Sequence, residues 1–226
     1  EHQCRRRGER RRPAVGGVAA EQLQQHFDEL ALAIARETGG IVPKGQHEVK
    51  EAVLLCQIAA GLPLRAQGEV LPSTPGRLSL AKRVPHGVVG VISPFNFPLN
   101  LVVHKVGPAI AAGCPVVLKP ASQTPFSSIE LAKMLIEECG LPPEYLQVVT
   151  GGGGTVGNAI VDHPDIALIT FTGSPGVGWA IRARAPRKRV GLELGNNAPC
   201  IIEPDGDWKT AAAKIKVAGF SHARSE

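Results

Sequence analysis

Val88-Val89-Gly90-Val91-Ile92-Ser93-Pro94-Phe95-Asn96-Phe97-Pro98, answered after an apolar stretch by Val116-Val117-Leu118-Lys119-Pro120, decides the fold. Each segment opens on a short run of β-branched and apolar residues, which marks a strand buried on both faces. Each then breaks abruptly into Pro, Ser, Asn or Lys. Between them, Leu101 to Cys114 is apolar enough to form a helix, with Gly107-Pro108 expected to interrupt it. Strand, helix, strand in this order predicts a parallel pair joined by a right-handed crossover.

The alternation continues downstream. Thr124-Pro125 reads as an N-cap followed by Pro at the first helical position. Ile129, Ala132, Leu135, Ile136 and Cys139 form that helix's inner face, and Gly140 ends it. Leu146 to Val149 is a third strand running into Gly151 to Gly154, a turn that lets backbone pass closely. A short helix over Val156 to Val161 leads to a fourth strand, Ile166 to Phe171. Ser174-Pro175 caps a further helix, and Val190 to Leu194 is a fifth strand. The pattern predicts an α/β protein with a Rossmann-like, doubly wound parallel sheet, whose ligands bind just beyond the carboxyl ends of the strands.

Upstream, Leu23, Phe27, Leu30 and Ile34 recur on one helical face, closed by Gly39-Gly40. A second helix is expected from about Glu48 to Ala60, with Val49, Val53, Cys56 and Ala60 on one side and a stop at Gly61. In residues 64–85, Pro72 to Gly76 separates two short segments, and Leu78, Leu80 and Lys82 suggest an exposed strand. Six of the first twelve residues are Arg against two Glu, whereas the rest of the chain carries 19 basic and 18 acidic residues. That is a basic tail on a near-neutral body rather than a basic binding surface; the tail could touch nucleic acid or be a transit segment, and its plainer reading is a disordered tail. No apolar run reaches the ~18 residues of a membrane span, so no membrane helix is expected. Cys4, Cys56, Cys114, Cys139 and Cys200 are scattered, without a Cys-x-x-Cys pair or a His cluster at metal spacing. They read as small buried hydrophobes in a reducing cytoplasm, with no metal.

The unusual residues fall just after the strands. Asn96 is a turn residue or a fixed amide donor. Lys119 is a solvated strand-end lysine or a ligand contact. Gly173-Ser174-Pro175-Gly176-Val177-Gly178 is weak as a bare glycine pattern, yet a strand enters it and a helix leaves it, and a helix N-terminus suits a pyrophosphate. Glu193, in a largely apolar strand end, either pairs with Arg187, Lys188 or Arg189 or has a raised pKa that suits a general base.

Taken in order and spacing, Ser93 to Pro98, Lys119 to Pro125, Phe171 to Gly178 and Leu192 to Asn197 closely resemble the aldehyde dehydrogenase superfamily, over about residues 30–223. The match is to its N-terminal, coenzyme-binding half. The resemblance implies an oxidoreductase that converts an aldehyde, a semialdehyde among the candidates, to a carboxylic acid with NAD(P). Asn96 would stabilise the oxyanion and Glu193 would activate water. Ser93, Phe95, Asn96, Lys119, Pro120, Ala121, Ser122, Gly173, Ser174, Gly178 and Leu194 would line the cofactor site. Many NAD-using members have Glu where this chain has Ser122. A carboxylate there would repel a 2′-phosphate, so Ser122 beside Lys119 tilts the expectation toward NADP. Asn196 replaces the family's usual second Gly.

The family's nucleophile is a Cys in a Gly-Gln-x-Cys-like segment, which counting from Glu193 places just past Glu226. Residues 1–12 are then an unmatched tail and 13–193 the coenzyme domain. Strands near 64–85 form an oligomerisation arm, and 194–226 begin an incomplete catalytic domain. The expected partners are a small aldehyde and, for the intact family member, further copies of itself; neither nucleic acid nor membrane is expected. The chain alone is expected to be inactive. The competing readings are an NAD(P)-binding module without catalysis and an acyl-phosphate reductase, the latter disfavoured by the settings of Asn96 and Glu193.

Overall fold

The computed structural model describes residues 15–65, 68–197 and 199–220. The Arg-rich segment, Cys4 and the residues from Ser221 onward lie outside that range. Helices α1 (residues 15–25), α2 (Phe27–Thr38) and α3 (Val42–Arg65) come first. Strands β1 (Glu69–Leu71) and β2 (Ser79–Ala81) pair antiparallel as a separate two-stranded ribbon, with Val70, Leu71 and Leu80 exposed. There follow β3 (Val88–Ile92), α4 (Asn100–Ala111), β4 (Val116–Lys119), α5 (Phe126–Glu137) and β5 (Leu146–Val148). The last elements are α6 (Asn158–Asp162), β6 (Ile166–Gly173), α7 (Pro175–Arg184), β7 (Arg189–Leu194) and α8 (Trp208–Phe220).

The main sheet has the order β5-β4-β3-β6-β7, and every neighbouring pair is parallel. From β3 the chain winds one way through β4 and β5, then crosses back and winds the other way through β6 and β7. The reversal opens a crevice between β3 and β6, the topological switch point where such sheets bind ligands. Alternation along the strands builds a core on each face. Val89, Val91, Val116 and Leu118 pack against Val102 and Val106 of α4 and Leu131 and Leu135 of α5. Ile92, Ile169 and Phe171 pack against Val161 of α6 and Ile181 of α7. Gly90 lets α6 lie flush on β3: a Cβ there would come within 2.6 Å of the Ile160 side chain.

The five sheet strands fall where the sequence places them; β3 and β4 are buried on both faces, whereas β7 alternates between exposed and half-buried residues. The helices differ in detail. The expected Leu23 to Ile34 face exists, but the backbone breaks at His26, giving two helices, and Gly39 at φ 68° ends the second. Helix α3 starts earlier than expected and runs through Gly61 and Pro63, because packing against α2 and α4 outweighs the local propensity. Helix α4 is not interrupted at Gly107-Pro108; the Pro108 carbonyl accepts the Ala112 amide at 2.9 Å, so the following turn stays intact. In α5, Leu131 and Met134 are buried and Ile129 and Ile136 only half-buried, because the helix is covered by α2 as well as by β5. The glycine run ends in a π-helical turn at Gly153–Gly157, so α6 begins later than Val156.

The expected Thr124 cap is also replaced. Its hydroxyl donates to the Phe95 carbonyl at 3.4 Å. The α5 N-terminus is capped instead from α2: the Glu37 carboxylate accepts the amides of Phe126 (2.9 Å) and Ser127 (3.0 Å) and the Ser127 hydroxyl. A carboxylate at a helix N-terminus satisfies orphan donors and opposes the positive end of the helix dipole.

Candidate active site

At the switch point, the Ser93 amide donates to the Lys119 carbonyl at 3.2 Å, tying the end of β3 to the end of β4. The buried Ser93 Oγ has no hydrogen-bond partner among the described residues, and neither does Thr172 Oγ1. Ile92 pairs with Phe171, so Ser93 and Thr172 are the next residues along neighbouring strands, one on each side of the crevice. Leaving a buried hydroxyl unsatisfied costs roughly 1–3 kcal/mol. Two of them at the place where α/β sheets receive ligands fit a polar molecule bound there.

Asn96 is exposed on the loop after β3. Its Oδ1 accepts the Phe97 amide at 3.1 Å. Because only oxygen can accept an N–H, this bond fixes which way the side-chain amide is turned. The Nδ2 hydrogens are left without a partner among the described residues and are offered outward. The main-chain oxygen of Asn96 accepts the ammonium of Lys44, which also pairs with Glu48 and lies 4.5 Å from the centre of the Phe97 ring. Phe95 is half-buried beside it.

Lys119 is buried, and its Nζ donates to the Pro120 carbonyl at 2.9 Å; burial lowers its pKa. Pro120 and Ala121 are buried, whereas Ser122 is exposed and donates to the Gly151 carbonyl at 3.1 Å, bracing the β4 loop against the glycine run. After β6, Ser174 adopts an extended conformation with Pro175 as the first residue of α7. The expected Ser174 side-chain cap is absent, so the hydroxyl does not take up the first amides of the helix. Gly173 and Gly178 are both crowded: a Cβ at Gly173 would strike the Phe171 ring, and one at Gly178 the Leu194 side chain. Leu194 therefore lies against the first turn of α7.

Glu193 departs from its expected setting. It is exposed rather than enclosed by apolar neighbours, and no ion pair with Arg187, Lys188 or Arg189 forms among the described residues. It pairs in register with Thr172 across β6 and β7. On the same side stands Lys105 of α4, almost fully buried, with its Nζ donating to Thr170 Oγ1 at 3.0 Å. Burial lowers the Lys105 pKa, and the charge of Glu193 partly restores it.

Sequence reasoning missed Lys105, Lys44 and Glu48. The signal for Lys105 was a lysine next to His104 on a mostly apolar helix stretch, Leu101 to Val106. For Lys44 and Glu48 it was an i, i+4 charge pair on a helix whose neighbours at Val49 and Ala52 face the core.

Strand order and register thus bring Asn96, the Gly173-Ser174 turn and Glu193 to one rim, with Lys119 and Ser122 beyond the next strand. The residues fit a dinucleotide: a helix N-terminus for pyrophosphate, an exposed hydroxyl beside a buried cation, and two orphaned hydroxyls in the crevice.

Known proteins share this plan. The chain is 44% identical over 210 residues to the 3-sulfolactaldehyde dehydrogenase of Priestia aryabhattai, covering 91% of this chain and 44% of that protein. Among solved structures, the NAD-dependent benzaldehyde dehydrogenase from Corynebacterium glutamicum superimposes with a TM-score of 0.86 at 41% identity, over 91% of this chain and 46% of that one. The glyceraldehyde-3-phosphate dehydrogenase GapN from Methanocaldococcus jannaschii, complexed with NADP, gives a TM-score of 0.89 at 35% identity, over 94% and 47%. The chain spans about half the length of these relatives, and the shared part is their coenzyme-binding fold. Since the model of the aldehyde dehydrogenase family matches from residue 3 to residue 224, through every strand-end segment described above, this chain belongs to that family.

Proposed function

We propose that this chain is the coenzyme-binding half of an NAD(P)-dependent aldehyde dehydrogenase, with Asn96 as the oxyanion donor and Glu193 as the base that prepares water. The observation that carries the reading is the outward-turned Asn96 amide, on the rim it shares with the α7 N-terminus and Glu193. Ser93, Lys119, Pro120, Ala121 and Ser122 would hold the adenosine side of the nucleotide, Gly173, Ser174 and Gly178 the pyrophosphate, and Phe95 and Leu194 the nicotinamide end. When bound, the nucleotide supplies the hydride acceptor.

The chain's own residues supply the rest. When a thiolate attacks an aldehyde, the carbonyl oxygen takes the negative charge, and Asn96 Nδ2 is already turned to donate to it. Donors fixed in advance at developing charge are worth ~10²–10³ in rate. Glu193, open to solvent, takes a proton from the water that attacks the acyl carbon, and the acid is released. Lys105, tied to Thr170 and within the field of Glu193, steadies the carboxylate between turnovers.

Nucleotide choice follows from Ser122. With no carboxylate beside Lys119, a 2′-phosphate meets a cation and a hydroxyl, which favours NADP. Titration calorimetry of the full chain with both nucleotides tests this, and about tenfold tighter NAD binding would sink it. Ser122→Glu shifts preference toward NAD by ~1–2 kcal/mol, the scale of one repulsive charge contact near a surface. We assign the β1–β2 ribbon to the oligomerisation arm and residues 194–226 to the start of the catalytic domain of a cytoplasmic homo-oligomer.

For residues 1–226 taken alone, nucleotide binding without turnover is the reading the thiols favour. Burial pushes the Cys56 thiol up to about 12 and the Cys139 thiol up to about 11. Cys114 is buried before β4, at the opposite rim of the sheet from Asn96. Only Cys200 is exposed among the described cysteines. The test is aldehyde-dependent NAD(P)H formation by purified 1–226. Turnover that disappears on Cys200→Ser overturns this account of the chain alone.

A further inference from the structure

Helix α3 carries a buried ion pair that no step above uses. The side chain of Lys44 is 6% exposed and that of Glu48 fully buried. A buried ion pair is a poor device for stability, because desolvating both charges consumes most of what their attraction returns. Its contacts indicate a different purpose. Burial pushes the Glu48 carboxyl above its usual range, and Lys44 and two backbone amides pull it back. Those amides belong to Leu99 and Asn100, each 3.1 Å from Oε2, at the start of α4. The Lys44 ammonium meets Glu48 Oε1, the face of the Phe97 ring and the main-chain oxygen of Asn96.

That oxygen and the Phe97 amide are the two ends of one peptide group. Lys44 holds its oxygen, and the Asn96 side chain holds its N–H through Oδ1. If the peptide plane turned, Oδ1 would lose its donor and the side-chain amide would be free to rotate. We propose that Lys44, held in place by Glu48, is a positioning residue that locks the 96–97 peptide and thereby aims the Asn96 amide outward. The functional weight of this lock rests on the reading of Asn96 as the oxyanion donor.

The test uses the full chain, labelled with ¹⁵N. Lys44→Met/Glu48→Gln removes both charges together and leaves a side-chain carbonyl to accept the Leu99 and Asn100 amides. In the folded variant, Phe97 amide exchange accelerates by roughly tenfold or more, the loss of one charge-assisted hydrogen bond. The separate resonances of the two Asn96 side-chain hydrogens broaden, while Leu99 and Asn100 stay protected. Lys44→Arg, which keeps a donor, restores part of the Phe97 protection. Unchanged Phe97 exchange and Asn96 resonances in the folded double variant overturn the proposal. Should that variant not fold, the unmodified chain decides: a Phe97 amide that exchanges faster than those of Leu99 and Asn100 overturns it, and comparable protection supports it. These outcomes are independent of catalysis. An Asn96→Ala substitution that leaves acylation unslowed in an active dehydrogenase would refute the oxyanion reading alone.

Discussion

Replacing Gly45 by Ala sets two known effects against each other. Gly45 lies inside α3, where Ala is the better helix former by about 1 kcal/mol. Yet a Cβ at this position would sit well inside van der Waals distance of the Ala31 carbonyl oxygen, and 3.0 Å from the carbonyl carbon and Cα of the same residue. The obstacle is the backbone of α2, which cannot swing aside as a side-chain tip would. Since even a close C–H···O contact needs about 3.3 Å, α2 and α3 must part by roughly 1 Å. Overpacking of this kind costs about 1–3 kcal/mol, and with an immovable neighbour the upper part of that range applies. The net expectation is a loss of about 1–2 kcal/mol, or ~2–8 °C in the unfolding midpoint for a chain of this size. Urea denaturation followed by circular dichroism reads it directly: the midpoint falls and the slope is unchanged. A neutral or stabilising Gly45→Ala would refute the close approach of α2 and α3, and with it the seat of Lys44 and Glu48.

Glu37→Ala removes the borrowed cap of α5 and should cost about 1–2 kcal/mol by the same urea assay; a change within error would show that Glu37 is not the cap. The His26 imidazole, bonded to Glu29 and also to Glu138, has its pKa raised above 6.5. Its contribution to stability is therefore full below pH 6.5 and lost as pH rises through the higher folded value. Melting curves at closely spaced pH values in buffers of matched ionic strength check this, and His26→Gln should flatten that part of the profile; an unflattened profile counts against the bridge. At neutral pH, Cys200 should be the first of the described cysteines to be alkylated by iodoacetamide, with Cys56 and Cys139 protected until unfolding, since burial keeps both as thiols. Peptide mapping by mass spectrometry reads the order, and early modification of Cys56 would contradict its burial.

The sheet was legible because a parallel strand buried on both faces has one composition available to it, and Val88 to Ile92 or Val116 to Lys119 suit little else. Helix limits were harder to read, because Gly61 and Pro108 break helices by local propensity, whereas neighbouring helices and strands hold them here. The cap of α5 lay out of reach, since Glu37 is distant in sequence from Phe126 and Ser127 and only the tertiary fold brings them together. The strand-end residues were singled out by position, as the topology rule puts ligands at the carboxyl ends of the strands whatever the side chains. Their settings were not: Glu193 was expected to be desolvated, yet β7 is an edge strand with alternating exposure, and the carboxylate falls on its open side. Lys44 and Glu48 resemble an ordinary surface pair until Asn96 and Leu99 are folded over them.

A primary carboxamide is two-faced, able to give hydrogen and to receive it. At Asn96 the receiving half is consumed by the next residue in the chain, so only the giving half is presented to solvent. Shape and polarity are thereby separable at this position. Exchanging the terminal NH₂ for an oxygen, as Asn96→Asp does, keeps the internal bond and the outline of the loop. It inverts what the loop shows to an incoming molecule, from a proton to a negative charge. A change at this one atom would leave a protein that folds, melts and holds its loop as before, yet turns away any anion that comes to it.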